Sequence, residues 1–472
     1  LRNDGGEGWT VVTSETGLEW VSTSGIPIGA VVADYNNDQM SDLFVLRYGS
    51  SSLYQNVGSQ FVDVTAEAGF PPYSYLPGAA AFVDVDHDGD VDLFVAGLAD
   101  VDATRERASG LGGVFPQDFE PEPLLLMRNN QDGTFTDITR TAALGESFGH
   151  AVSIIPTDYD NRRDVDLLVV NYDGPSRLYR NQRDFTFSDV SDQVGINSAT
   201  GMFSTTASAD LNKDTFPDFV FAGATEALFV LSDGRGGFAS VEAPEILQGA
   251  TALRTFDYDN DGLVDLFVSR RDGSRLVRNL GQEWSDVTDV ATVAMDGVDR
   301  VVTGHGLTVA DMDADGDSDV VSLGPGEVTL AQNSGDGRNA SVRVTLQGVV
   351  SNRSGIGAKV QLRAGSLRAR FDTSAATPAV APADIVFGLG QRTGADVTRV
   401  IWPSGVLQAE VPASPATESG APMFLQSPLT VQELDREPSS CPLLYTWNGT
   451  RFEFVTDFLG AGEMGYWRGP GD

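Results

Sequence analysis

Asp84-Val85-Asp86-His87-Asp88-Gly89-Asp90-Val91-Asp92 is a nine-residue acidic loop that runs straight into the apolar segment Leu93-Phe94-Val95. Five other segments share its form: Asp34 to Asp42, Asp158 to Asp166, Asp210 to Asp218, Asp257 to Asp265 and Asp311 to Asp319. Each is followed by a short apolar run, such as Leu43-Phe44-Val45 or Leu266-Phe267-Val268, and the period is roughly 50 residues, stretched once. Before each loop stands a run of small or apolar residues, as in Ala30-Val31-Val32-Ala33 and Ala79-Ala80-Ala81-Phe82-Val83. A third run follows, for example Leu53-Tyr54-Gln55-Asn56 and Leu178-Tyr179-Arg180-Asn181, and then a fourth, for example Phe61-Val62-Asp63-Val64 and Phe187-Ser188-Asp189-Val190.

Short β-branched and aromatic runs separated by Gly, Asn and Asp turns read as strands, and four per repeat make the blade of a β-propeller. No helical 3.6-residue periodicity competes with this reading. The expected fold is therefore all-β: a six-bladed propeller over residues 8–335, with a degenerate seventh blade left open, and a small β-domain behind it. Gly8-Trp9-Thr10-Val11-Val12-Thr13 looks like a fourth strand with no blade ahead of it, whereas the sixth repeat lacks one. The N-terminal strand is expected to fill that gap and close the ring, which would remove exposed strand edges.

The loops carry the chemistry. Side-chain oxygens at positions 1, 3 and 5 of such a loop converge, position 7 adds a backbone carbonyl and position 9 a carboxylate. Calcium takes 6–8 oxygens in irregular geometry, magnesium demands a stricter octahedron, and zinc wants His or Cys; the chain has three His and one Cys. The candidate ligands are Asp34, Asn36, Asp38 and Asp42; Asp84, Asp86, Asp88 and Asp92; Asp158, Asp160 and Asp166; Asp210, Asn212, Asp214 and Asp218; Asp257, Asp259, Asp261 and Asp265; Asp311, Asp313, Asp315 and Asp319. Gly at position 6 supplies the sharp turn in the second, fifth and sixth loops, while Gln39 and Thr215 stand there in the first and fourth. Arg162 occupies position 5 of the third loop, which is expected to bind calcium weakly or not at all, with the Arg as internal counter-cation. A single loop of this kind reads equally well as a solvated Asp turn. Six in the same place favour structural calcium, which folds a self-repelling loop and substitutes for disulfides; Cys441 is alone, so none can form within the chain.

The 472 residues carry 67 acidic and 31 basic side chains, a net charge of −36, which excludes nucleic acid and anionic membranes as partners. Lys occurs only at Lys213 and Lys359. No apolar stretch reaches the roughly 20 residues of a membrane span. The chain begins at Leu1, so an N-terminal segment is expected to have been removed or to be missing.

In the six loops and the strands behind them the chain resembles the FG-GAP/VCBS repeats found in integrin α-subunits. Further on, Asn352-Arg353-Ser354-Gly355-Ile356-Gly357-Ala358-Lys359-Val360, then Phe387-Gly388-Leu389-Gly390, then Val400-Ile401-Trp402-Pro403-Ser404-Gly405 resemble the ASPIC/UnbV module, as in the cartilage acidic protein family. The resemblance implies an extracellular or cell-surface calcium-binding protein, a periplasmic one being the alternative. It also implies a β module at 339–412, where Trp402 reads as a core anchor. Residues 413–438, rich in Pro, Ser, Ala and Glu, read as a linker, and 439–472 as an aromatic hairpin tail with an Asn448-Gly449 turn. Asn339, Asn352 and Asn448 head N-glycosylation patterns.

In an up-and-down blade the calcium loops share one face, and a protein or glycan ligand is expected on the other. That face should carry the insertion from Gly97 to Pro123 and the link Phe70 to Leu76, with His150 and His305 nearby as structural groups. Three functions stay open: a binding or adhesion module, an assembly subunit that pairs through its tail, and a polysaccharide-acting enzyme. No Ser-His-Asp, phosphate-loop or zinc motif supports the last.

Overall fold

Each acidic loop is the turn between the first two strands of an antiparallel sheet. A computed structural model describes residues 2–3, 9–19, 25–72, 75–104, 114–145, 149–291, 295–296, 306–324, 327–335, 338–377, 384–411, 429–435, 443–447, 449 and 452–457. His305, Cys441, most of the 413–438 segment and part of the insertion lie outside them. Among the described residues there are six sheets of four propeller strands each. The first sheet is Ile26–Ala33, Asp42–Tyr48, Ser52–Asn56 and Phe61–Asp63. The next four begin with the strands Leu76–Val83, Ala151–Thr157, Thr205–Ala209 and Ala250–Phe256, each paired to its neighbours in chain order. The sixth is built on Gly306–Ala310, Asp319–Gly324 and Glu327–Asn333. These are the blades of a β-propeller.

The second strand of each sheet explains the continuous apolar runs behind the loops. Its two faces pack against different neighbours, so period-2 alternation sorts side chains between two cores rather than between core and water. Leu93 and Val95 face the first sheet with Phe44 and Leu53. Phe94 and Ala96 face the third, where Phe94 meets Phe187 edge-on at 5.7 Å. Burying each such side chain stabilises by roughly 1.5–3 kcal/mol.

Two expectations are corrected. Trp9–Thr10 does not join the sixth sheet; it pairs with Arg2–Asn3, and Met295–Asp296, ahead of the sixth loop, forms the outer strand. That two-residue strand has no apolar alternation to announce it. The segment read as linker also contributes Leu429–Gln432, which pairs in parallel with Ala340–Gln347 and buries Val431. Four residues with one buried apolar side chain do not stand out from a Pro/Ser-rich surround.

The C-terminal β-domain has two sheets. Ile385–Gly390, Ala340–Gln347 and Leu429–Gln432 form one; Leu367–Asp372, Lys359–Ala364, Val397–Ile401 and Leu407–Glu410 form the other. They close on Val342, Val360, Phe387, Val400 and Trp402, whose Nε1 donates to Gln408 Oε1 at 3.1 Å. From this domain Ala375–Thr377 reaches the propeller and pairs with Ala80–Phe82, on the free edge of the second sheet's innermost strand. Leu443–Trp447 and Phe452–Asp457 form the tail hairpin.

Sheets are also tied by asparagines at the ends of third strands. Asn129 Nδ2 donates to Tyr35 O of the first loop at 2.8 Å and to Val91 O at 3.2 Å; Asn181 reaches Val85 O and Asn333 reaches Tyr258 O in the same way. Asn129→Ala would strand two buried carbonyls and is expected to cost about 1–3 kcal/mol, read as a lower denaturation midpoint at unchanged slope. A midpoint equal to wild type would show that these bonds do not hold the sheets together.

Candidate metal centre

The loop backbone is built by its own carboxylates. At position 1, Asp257 Oδ1 accepts from Asp261 N at 3.0 Å and Oδ2 from Gly262 N at 2.8 Å. Asp34 and Asp311 accept likewise from positions 5 and 6, as does Asp158 from Arg162 N and Arg163 N. Asp84 and Asp210 hold position 6 alone. At position 3, the amide oxygens of Asn36 and Asn212 accept from Asp38 N and Asp214 N. At position 5, Asp38, Asp88, Asp214, Asp261 and Asp315 each accept the backbone N–H two residues on.

This winding puts positions 4 and 6 of every loop at positive φ. Position 6 spans φ 72° at Gln39 and Thr215 to 94° at Gly262. A β-branched Thr there is strained by about 1–2 kcal/mol, so the loops without Gly keep the geometry at a cost. Position 4 was not anticipated; Asn37, His87, Asn161 and Asn260 hint at it, since Asn and His tolerate this region. These side chains link neighbouring loops: Asn37 Nδ2 donates to Gly89 O at 3.0 Å, and His87 Nε2 lies 3.4 Å from Asp164 Oδ1.

Position 9 does more than was expected. Asp92 Oδ2 accepts from Val85 N at 3.0 Å and Oδ1 from Asn129 N at 2.8 Å. Asp42, Asp218, Asp265 and Asp319 repeat both bonds, and Asp166 accepts from Asn181 N. The carboxylate thus brackets the loop start to the third strand of its own sheet.

Four loops bring three carboxylates together, with one oxygen from each within 4.8 Å of the others: Asp84, Asp86 and Asp92; Asp158, Asp160 and Asp166; Asp257, Asp259 and Asp265; Asp311, Asp313 and Asp315. The first and fourth loops have Asn at position 3 and no such triplet. Several oxygens are buried without a hydrogen-bond partner: Asp84 Oδ1, Asp86 Oδ1, Asp166 Oδ2, Asp210 Oδ1 and Asp259 Oδ1. Unpaired buried carboxylate oxygens are costly, and an all-oxygen set of this kind fits a hard divalent cation such as calcium. Burial pushes Asp42, Asp84 and Asp218 up to about 7 and Asp166 to about 8, and holds Asp92, Asp257 and Asp265 well above the usual carboxylate range.

Cations of the chain crowd the same loops. Arg128 Nε lies 3.1 Å from Asp86 Oδ2, and Arg278 Nη2 lies 2.6 Å from Asp259 Oδ2 and 2.8 Å from Asp261 Oδ2. In the third loop Arg162 Nε is 3.1 Å from Asp160 Oδ2, and Lys359 of the C-terminal domain pairs with Asp158. That domain touches all six loops. Arg353 N donates to Asn37 Oδ1 at 3.0 Å and His87 Nδ1 contacts Pro403 O at 2.9 Å. Arg370 bonds Asn161 Oδ1 and Thr215 O. Gly390 N donates to Asn260 O at 2.8 Å, and Ser341 Oγ to Gly316 O at 2.6 Å. Nothing in the spacing of Lys359 and Arg370 foretold these contacts, which join residues more than 150 positions apart.

His150 is a structural group, as expected: it is buried, with Nε2 at 3.1 Å from Phe119 O and Nδ1 against Asp173.

Two protein families match parts of this chain. The FG-GAP-like repeat family matches residues 34–95, 158–221, 210–268 and 257–322, and the ASPIC and UnbV family matches 348–416. Cartilage acidic protein 1 of Mus musculus is 28% identical over 291 residues, 56% of this chain and 43% of that protein. The Homo sapiens protein is 27% identical over 195 residues, covering 39% and 29%. The chain thus spans less than half the length of the curated relatives it matches. Among solved structures, an Agrocybe aegerita lectin described as recognising non-reducing terminal N-acetylglucosamine aligns at 17% identity with a TM-score of 0.43, over 66% of this chain and 78% of that one. The V. cholerae biofilm matrix protein Bap1 aligns at 12% with a TM-score of 0.32, over 83% and 60%. No helix among the described residues is long and apolar enough to cross a membrane. The chain therefore carries FG-GAP-like repeats followed by an ASPIC and UnbV region.

Proposed function

We propose that the protein is an extracellular or cell-surface binding module whose propeller is held by calcium in the acidic loops. The observation that carries this reading is the set of buried carboxylate oxygens without partners in the second, fourth and fifth loops. Calcium neutralises them and supplies the bonds they lack. Loops of this type suit millimolar calcium, which supports a location outside the cell. The third loop already holds Arg162 and Lys359, so it binds calcium weakly or not at all.

The C-terminal domain covers the loop face, which leaves the opposite face for a protein or glycan. There the second strand of the second sheet, Asp92–Thr104, runs on past its partners and pairs with Phe119–Glu120. Phe115 packs on Phe119 at 5.6 Å and is half exposed, an aromatic surface of the kind that binds sugars or proteins.

Metal analysis of the purified chain is expected to find about four to six calcium ions. Chelation should lower the melting temperature by on the order of 10 °C, and Lys359→Met should raise the calcium count by freeing Asp158. No calcium and no thermal shift would end the calcium reading. A second test follows from the raised carboxylates. Without calcium, the folded chain binds more protons than the unfolded chain between the ordinary value of 3.8 and about 7 to 8. Stability then falls as pH rises through that window. The calcium-free protein should melt higher at pH 5 than at pH 8, and calcium should abolish or reverse the trend. A calcium-free melting temperature that climbs with pH would contradict the burial of these groups.

A further inference from the structure

The inner strands of the six sheets and the C-terminal domain enclose a cavity of about 1470 Å³, lined by Gly29, Gly78, Val152 and Thr308 of the propeller and Leu346 and Phe371 of that domain, with the carboxylates Asp34 and Asp384 also at its wall. Arg254, on the innermost strand of the fifth sheet, lines it too. Its side chain is only 3% exposed. Nη1 donates to Leu253 O at 2.6 Å, while Nε is buried and without an acceptor, and no bond from Nη2 appears. No carboxylate among the described residues pairs with it, and burial alone lowers its pKa, to about 9, so it stays charged at neutral pH.

That is an anomaly for this chain. With 67 acidic residues against 31 basic ones, a counter-ion for a buried arginine is the easiest thing for the sequence to supply. The two other arginines buried to a similar depth both have side-chain partners: Arg370 Nε and Nη2 each lie 2.6 Å from an oxygen of Asp372, and Arg47, which has no carboxylate, donates to Ser52 Oγ at 2.8 Å and Tyr54 Oη at 2.9 Å. Taking a guanidinium out of water with no anion is strongly unfavourable. The unused Nε–Nη2 edge is the fork that grips two oxygens of one oxyanion in parallel. The cavity exceeds the roughly 300–1,000 Å³ of ordinary small-molecule sites.

We propose that the propeller channel is a binding site for a small oxyanion, the carboxylate of an organic acid or an inorganic sulfate, with the Nε–Nη2 edge of Arg254 as its anchor. The site does not depend on the calcium reading, since Arg254 lies on a strand and not in a loop.

The test is calorimetric titration of the calcium-loaded chain with sodium acetate and, separately, sodium sulfate, against sodium chloride at matched ionic strength. One of the two oxyanions should bind saturably and raise the melting temperature. Acetate alone would mark the site as one for organic acids, and sulfate alone as one for inorganic oxyanions. Arg254→Met should bind at least about tenfold more weakly and melt no lower than wild type without the anion, because it removes an unpaired buried charge. Arg254→Lys, charged but without the fork, should bind more weakly than wild type. Wild-type protein that binds neither anion overturns the proposal, whatever becomes of the variants, and so does equal binding by wild type and a folded Arg254→Met.

Discussion

Like charges forced together at low dielectric are the constraint on which this molecule turns. Two carboxylates 4.8 Å apart repel by about 3–4 kcal/mol at an effective dielectric of 20, and four loops each hold three groups at that spacing or closer. A surface turn would let them spread into water. Here the position 9 carboxylates are nearly inaccessible, with Asp42, Asp218, Asp265 and Asp319 all at 0% exposure, and every position 1 carboxylate but the partly buried Asp257 is buried too. The fold tolerates them only with compensating positive charge. Backbone N–H groups supply part of it, Arg128 and Arg278 another part. Both lysines of the chain are recruited: Lys359 to Asp158, and Lys213 to the field of Asp210, Asp257, Asp261 and Asp265.

The same carboxylates carry the strain outward. Asp92 bonds to Val85 N and Asn129 N, and Asn129 bonds to Tyr35 O of the preceding sheet. Anything that loosens a loop therefore loosens the seam between two sheets. The C-terminal domain adds a second layer of coupling, because Arg353, Lys359, Arg370 and Gly390 each rest on a different part of the loop ring. Gly388 shows how close the two come: a Cβ there would lie 2.0 Å from Asp257 Oδ2. Loop charge, sheet packing and domain docking are one cooperative system, and the loop face is buried by it.

The repeat was legible because these loops impose spacing on the sequence itself: nine residues, with oxygens at alternate positions and an apolar strand behind. Strand pairing between distant segments leaves no such mark. Met295–Asp296 completes the sixth sheet with two residues, and Leu429–Gln432 enters the C-terminal sheet from a Pro/Ser-rich stretch. Both were hidden by shortness. The double role of the position 9 carboxylates was hidden for another reason, since a hydrogen bond to a backbone N–H places no demand on the identity of the donor residue. The Asn brackets were visible as letters, in Asn129, Asn181, Asn279 and Asn333, but their partners belong to other repeats.

A division of labour follows from the burial of the loop face. Residues there serve each other, so substitutions are constrained by charge balance on all sides, and little of that face is left for a partner. The far ends of the strands are under no such constraint. They can lengthen, as Asp92–Thr104 does, without disturbing a loop or a seam. The channel lies between the two. Its walls are innermost strands with one unpaired edge, and on the second sheet that edge is taken up by Ala375–Thr377. Elsewhere on the wall stands Arg254, whose Nε finds no acceptor among the described residues, so the occupant of the channel, water or the proposed anion, bears on the stability of the propeller's centre.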